Sequence, residues 1–164
     1  LDVVAFKEYY LFICEVKSEE RSHDFSHAAQ REMVKLGETA VHQLNRALQS
    51  KYLYSKELEK RLGIEVDWET VTIIPMIITD TFEGDDYFNK TDIRKISLLE
   101  LDVILKNKKR ELLEMYQLNE MVANRRRFQP KEDSVWDLWG GDNVLGCDRF
   151  LEIIDNHEVW SDLT

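Results

Sequence analysis

The segment Leu11-Phe12-Ile13-Cys14-Glu15-Val16-Lys17 constrains this chain more than any other stretch. Aromatic and β-branched residues favour a strand here, and the run stays apolar until charged residues close it. Side chains on a strand alternate faces. Phe12, Cys14 and Val16 therefore point one way, while Leu11, Ile13, Glu15 and Lys17 point the other. Glu15 and Lys17 stand side by side at the end of an otherwise apolar strand, a costly placement unless the charges are paired or bind a metal. Just upstream, Val3 to Phe6 predicts a shorter strand, and Lys7-Glu8-Tyr9 a tight connection. Strands this close pair most simply as an antiparallel hairpin, which carries Asp2 toward Glu15.

Downstream, Phe25, Ala29, Met33, Leu36, Ala40, Leu44 and Leu48 recur at spacings of three or four. That period predicts a long helix, with Ser22 or Asp24 as its cap. A short helix is expected over Ser55 to Leu62, stopped by Gly63. Val71 to Thr79 is apolar on both faces, as a central strand covered on both sides should be, although Pro75 cannot donate to a ladder. Asp80 to Asp92 reads as a polar loop. Ser97-Leu98-Leu99-Glu100 has the form of a capping box opening a helix. Helical pattern resumes from Arg110 to Val122. Pro130 suits the first turn of a helix running toward Trp139 and ended by Gly140-Gly141, and Arg149 to Ile154 predicts a last short helix. The order implies an α/β fold: a mixed central sheet flanked by helices, with a helical C-terminal extension. A single domain across residues 1–164, with its core in about 1–80, suits the length.

The formal net charge of -10 excludes a surface that grips nucleic acid all over, because phosphate neutralisation needs Lys and Arg. It leaves room for a local basic groove, and for a metal site, which itself needs carboxylates. No apolar run approaches the roughly 18–20 residues that cross a bilayer, so no membrane partner is expected. Cys14 and Cys147 make no disulfide framework in a chain of this length, and a reducing, cytoplasmic compartment is the expectation. The chain begins at Leu1 and reads as a piece of a longer protein.

Two carboxylates and a lysine converging at one strand end fit Mg²⁺ chemistry, because that ion takes oxygen ligands and keeps several waters. Such an ion polarises a phosphate and acidifies a bound water, and Lys17 is placed to orient the water or offset developing charge. Asp2 followed by Val3-Val4, and then Glu15-Val16-Lys17 after a short hairpin, resembles the signature of the PD-(D/E)XK nucleases. The strand "LFICEVKS" is similar to the one bearing the second half of that signature. The helix containing "HQLNRAL" and the apolar strand at Val71 to Thr79 are similar to the elements that follow in restriction-endonuclease-like proteins. The resemblance covers residues 1–80 and implies a restriction-endonuclease-like core. It implies Mg²⁺ or Mn²⁺ held by Asp2 and Glu15 with the Val16 main-chain carbonyl, and hydrolysis of phosphodiester bonds in DNA, with RNA as the alternative substrate. Lys17 would act on the water. The motif's proline position holds Leu1, and the metal-binding Glu that many members carry on an earlier helix would precede Leu1. A Gln on the following helix serves some members near the site; Gln30 and Gln43 are the candidates, with Gln30 nearer the expected active-site end. A catalytically inactive module on the same fold, binding nucleic acid or protein, is the alternative function.

Other groups carry weaker signals. His23 and His27 lie four apart but lack a third ligand at a telling spacing. Lys108-Lys109-Arg110 and Arg125-Arg126-Arg127 are basic clusters that either contact phosphates or form solvated helix faces. Trp136, Trp139 and Trp160 read as packing residues, with a partner-docking surface as the sharper reading. Asp80, Glu83, Asp85 and Asp86 read as a solvated loop.

Overall fold

The computed structural model describes residues 2–18, 38–80, 92–115 and 136–161. It is an α/β structure whose four-stranded mixed sheet runs in the order β1-β2-β3-β4. The described residues fall into two compact units, Leu1–Leu98 and Leu99–Thr164.

In the first unit, β1 (Val3–Lys7) and β2 (Tyr10–Lys17) form the expected antiparallel hairpin, in register from Val3↔Cys14 to Lys7↔Tyr10. Glu8 and Tyr9 make the turn, with Glu8 at φ 58 in the left-handed region that tight hairpins need. β3 (Thr72–Thr79) lies parallel to β2, in register from Tyr10↔Thr72 to Lys17↔Thr79. Parallel neighbours need a long crossover, and it contains α1 (Val41–Gln49) and α2 (Lys51–Leu62). α2 ends at Gly63, φ 68, whose N–H donates to Glu59 O at 2.8 Å. That is a left-handed cap in which glycine carries no Cβ penalty.

β4 (Arg94–Ser97) adds a third parallel strand, paired from Met76↔Arg94 to Thr79↔Ser97. Its register explains how β3 tolerates Pro75. Thr72 donates its N–H to Tyr9 O at 2.9 Å, and N–H groups alternate sides along a strand, so Pro75 turns its nitrogen toward β4. Pairing with β4 begins only at Met76, so no ladder bond is lost there.

β2 and β3 are buried along nearly their whole length. On one face Leu11, Ile13 and Ile77 pack with Ala40 and Leu44 of the first helical segment and with Ile93. The opposite face carries Phe12, Cys14, Ile74, Met76 and Ile78, also buried. Burial pushes the Cys14 thiol up to about 11.

In the second unit, α3 (Leu98–Lys106) is followed by α4, described over 109–115, and by α5 (Cys147–Asp155). Val103, Ile104, Leu113, Leu138 and Ile153 are buried within it. The helix expected from Pro130 to Trp139 lies outside the described residues up to 135; where description resumes, 136–137 are not helical and 138–141 form a turn. The Asp137 carboxylate dictates that turn, accepting from Asn107 Nδ2 at 2.7 Å, Trp139 N at 3.0 Å and Gly141 N at 2.7 Å. These bonds, the Asn107 one foremost, hold its carboxyl below the usual range. Gly140 and Gly141 take φ 70 and 87, conformations a helix cannot use.

β4 has no counterpart among the sequence expectations, and one helix boundary is corrected. α2 begins at Lys51 rather than Ser55, almost continuous with α1 across Ser50. The helical pattern ending at Leu48 stops at Gln49, and its part before residue 38 lies outside the described residues. No helix among the described residues is long and apolar enough to cross a membrane.

Two measurements test this fold. The Cys14 thiol is neutral in the folded state beyond the pH at which an unfolded thiol ionises. Its contribution is therefore complete below pH 9 and is lost as pH rises through about 11, a decline of roughly 2–3 kcal/mol at full effect. Urea midpoints across that window should fall more steeply for the wild type than for Cys14→Ala, and equal slopes would disprove the burial. Lys109 is fully buried, and replacing it by Met should lower stability by about 2–3 kcal/mol through loss of charged hydrogen bonds. An unchanged midpoint would return it to the solvated face.

Candidate active site at the ends of the parallel strands

The hairpin register brings Asp2 beside the C-terminal end of β2. Asp2 donates its main-chain N–H to Cys14 O at 3.2 Å, and its carboxylate Oδ2 accepts the Val16 N–H at 2.8 Å. The N–H and C=O of one strand residue point to the same side, so the Val16 carbonyl also faces the edge where Asp2 stands. β1 has already ended there, its ladder beginning at Val3.

Glu15 lies on the face covered by α1, continuing the row of Leu11 and Ile13 as alternation predicts. It is 3% exposed, on a strand flanked by neighbours on both sides rather than at a sheet edge. Its Oε1 accepts from Lys17 Nζ at 2.7 Å. Its other oxygen, Oε2, is buried and accepts no hydrogen bond among the described residues. Lys17 Nζ also donates to Gln43 Oε1 of α1 at 3.0 Å. Leu44 anchors α1 to the sheet, fully buried, and this places Gln43 next in sequence within reach of β2. An ammonium has three donors; Glu15 and Gln43 take two. The Lys17 side chain keeps 26% exposure against 5% for that of Glu15, so the pair is reached by solvent from the lysine end.

Asp2, Glu15, Lys17 and Gln43 are thus brought to one end of the β-ribbon. Gln30, His23, His27, Arg125, Arg126 and Arg127 lie outside the described residues. Of the Lys108-Lys109-Arg110 cluster only Lys109 is buried, the Lys108 and Arg110 side chains being solvated. Lys109 is 0% exposed and donates to Glu158 O at 2.6 Å and Ser161 Oγ at 3.0 Å. Lys108 pairs with Glu111, and Arg110 pairs with Glu114 and stacks over Trp136. Trp139 donates to Ile104 O and Trp160 to Glu100 Oε1, so these tryptophans serve the unit's own packing.

The contact between Ser18 and Asp80 has no counterpart among the sequence expectations. Asp80 is exposed in a bend directly after β3, as a solvated loop residue should be, and its Oδ2 also accepts from Ser18 Oγ at 3.0 Å. The available signal was the rule that open α/β sheets place function at the carboxyl ends of parallel strands.

The donor set is of the right kind for a hard divalent cation: two carboxylates and an edge carbonyl, all oxygen. Among the described residues no group of three or more His, Cys, Asp or Glu side chains could hold an ion. An ion here would therefore have to retain waters, as Mg²⁺ does. No protein-family model, curated protein or solved structure matches this chain.

The Glu15–Lys17 pair makes a quantitative prediction. Lys17→Met should destabilise the fold by about 2–3 kcal/mol, somewhat below the cost of breaking a fully buried pair, because the lysine end is solvated. Adding Glu15→Gln to that variant should recover much of the loss. Urea unfolding of the four proteins forms the cycle. Strictly additive losses would show a solvated pair with no coupling.

Proposed function

We propose that this chain is the catalytic part of a metal-dependent nuclease that hydrolyses phosphodiester bonds in DNA, built on a restriction-endonuclease-like core of the PD-(D/E)XK kind. The observation that carries the reading is the buried Glu15 paired with Lys17 at the end of β2, on either side of Val16, whose N–H the Asp2 carboxylate accepts. The element order supports it: a hairpin bearing the polar residues, a helix delivering Gln43, then an apolar strand returning parallel to β2. This is the order the resemblance implies for residues 1–80.

In this reading Asp2 and Glu15 hold Mg²⁺ or Mn²⁺ with the Val16 carbonyl. The bound ion supplies Lewis-acid polarisation of the phosphate and a more acidic water. Lys17 is fixed by Glu15 and Gln43 through two of its donors. The third is left for the attacking water or a non-bridging phosphate oxygen, where an ammonium offsets the charge that develops. Gln43 acts by holding that ammonium in place. Contacts to the DNA backbone fall to local basic groups, for which Arg125, Arg126 and Arg127 are the candidates, since the overall charge of -10 repels a polyanion.

A second reading is favoured by one observation. Each carboxylate already accepts an internal hydrogen bond, Asp2 from Val16 and Glu15 from Lys17, as expected of an inactive module that binds nucleic acid or protein on the same fold.

Cleavage of duplex and single-stranded DNA with Mg²⁺ or Mn²⁺ separates the two. The nuclease reading expects metal-dependent cleavage that drops by about 10²-fold or more in Lys17→Ala. It also expects Mn²⁺ binding by calorimetry that disappears in Asp2→Ala and Glu15→Gln. DNA binding with neither cleavage nor Mn²⁺ uptake would establish the inactive module instead.

A further inference from the structure

Resting on the nuclease reading, we infer that Asp80 is a positioning residue of the same site: by holding Ser18 it sets where β2 leaves the sheet, and hence where Lys17 presents its ammonium. The ladder between β2 and β3 ends at the pair Lys17↔Thr79. One residue beyond it on each strand, Ser18 Oγ donates to Asp80 Oδ2 at 3.0 Å. The two side chains thus clasp the strand ends where main-chain pairing stops.

Lys17 is the last residue of the ladder, so the clasp secures its backbone from the side where pairing has stopped, while its side-chain restraints act at the far end. Glu15 Oε1 and Gln43 Oε1 fix Nζ at 2.7 Å and 3.0 Å, but a lysine stem has four flexible carbons. A shift of the backbone at residue 17 would be taken up by that stem, at the expense of the Nζ geometry. A misplacement of about 1 Å at a reacting group can cost about 10²-fold in rate. Thr79 anchors the partner side of the clasp, 1% exposed at the end of β3. Ser18 and Asp80 themselves are exposed, so substituting them removes little packing.

The test uses Ser18→Ala, Asp80→Ala, Asp80→Asn and the Ser18→Ala/Asp80→Ala double variant in the full chain. Mg²⁺-dependent DNA cleavage is read as kcat and KM separately. In the metal-free protein, the ¹⁵N resonance of the Lys17 ammonium is read by NMR. The clasp predicts that each alanine variant lowers kcat by about tenfold with little change in KM, and that the double variant loses no more than either one. Asp80→Asn, which keeps the acceptor and discards the charge, should restore most of the rate. The Lys17 resonance should shift in both alanine variants while thermal midpoints stay with the wild type. Wild-type kcat in Asp80→Ala, or a loss in Asp80→Asn equal to that in Asp80→Ala, would overturn the inference and leave the nuclease reading standing. If the wild-type chain cleaves no DNA, that reading falls first. The resonance then decides the clasp alone: an unmoved Lys17 signal in Asp80→Ala removes it.

Discussion

A carboxylate buried at the end of an apolar strand, held by a lysine two residues on, is the constraint around which the first unit is arranged. Glu15 lies in the same row as Leu11 and Ile13, so the sheet cannot cover its hydrophobic face with α1 without also covering this charge. Desolvation of a lone carboxylate would exceed what a few apolar contacts return. The Lys17 ammonium, 2.7 Å away, makes the arrangement tenable. It does so from a position still open to water. The strand therefore ends in an ion pair with one partner inside and one at the rim.

The parallel pairing of β2 with β3 turns that local pair into a site. An antiparallel return would have placed the next strand's beginning beside Lys17. The parallel return requires a crossover, and the crossover contains α1, whose buried Leu44 sets the register that delivers Gln43. The same topology aligns the carboxyl ends of β2 and β3, so Ser18 meets Asp80. Asp2 arrives from the opposite edge through the antiparallel hairpin. Three chain segments far apart in sequence thus converge on the last residues of one strand. The mixed pairing of the sheet is what allows it.

Much of this was legible in the residues, for identifiable reasons. Period-two alternation placed Glu15 and Lys17 on one face, and the short Lys7-Glu8-Tyr9 spacing left an antiparallel hairpin as the simplest pairing. The doubly apolar Val71 to Thr79 run was read as central, and Pro75 was no obstacle because its nitrogen faces a stretch where β4 has not begun. β4 was illegible because only Ile96 among Arg94-Lys95-Ile96-Ser97 reads as core, and four residues show no period. The end of the expected helix near Trp139 is a turn because the Gly pair, which reads as helix punctuation, takes part in it instead. The carboxylate of Asp137, tied to Asn107 thirty residues earlier, overrides that local signal. The contact of Asp80 with Ser18 was missed for a related reason: a polar residue after a strand looks like loop until the neighbouring strand end is known.

Lys17 and Lys109 show why residue type alone could not separate function from architecture. Both are lysines beside hydrophobic segments, and both are held by oxygen acceptors. Lys109 is 0% exposed and reaches a main-chain carbonyl and a hydroxyl, Glu158 O and Ser161 Oγ. It gathers a C-terminal turn around a buried charge. Lys17 keeps 26% of its side chain exposed and reaches a carboxylate and a carboxamide. Its surroundings are acceptors on separate elements, with a donor left over. An ammonium enclosed within its own unit holds structure. One gripped from two sides at an open strand end can hold structure and still meet an incoming anion. That difference lies in exposure and in the source of the acceptors, and only the folded chain displays it.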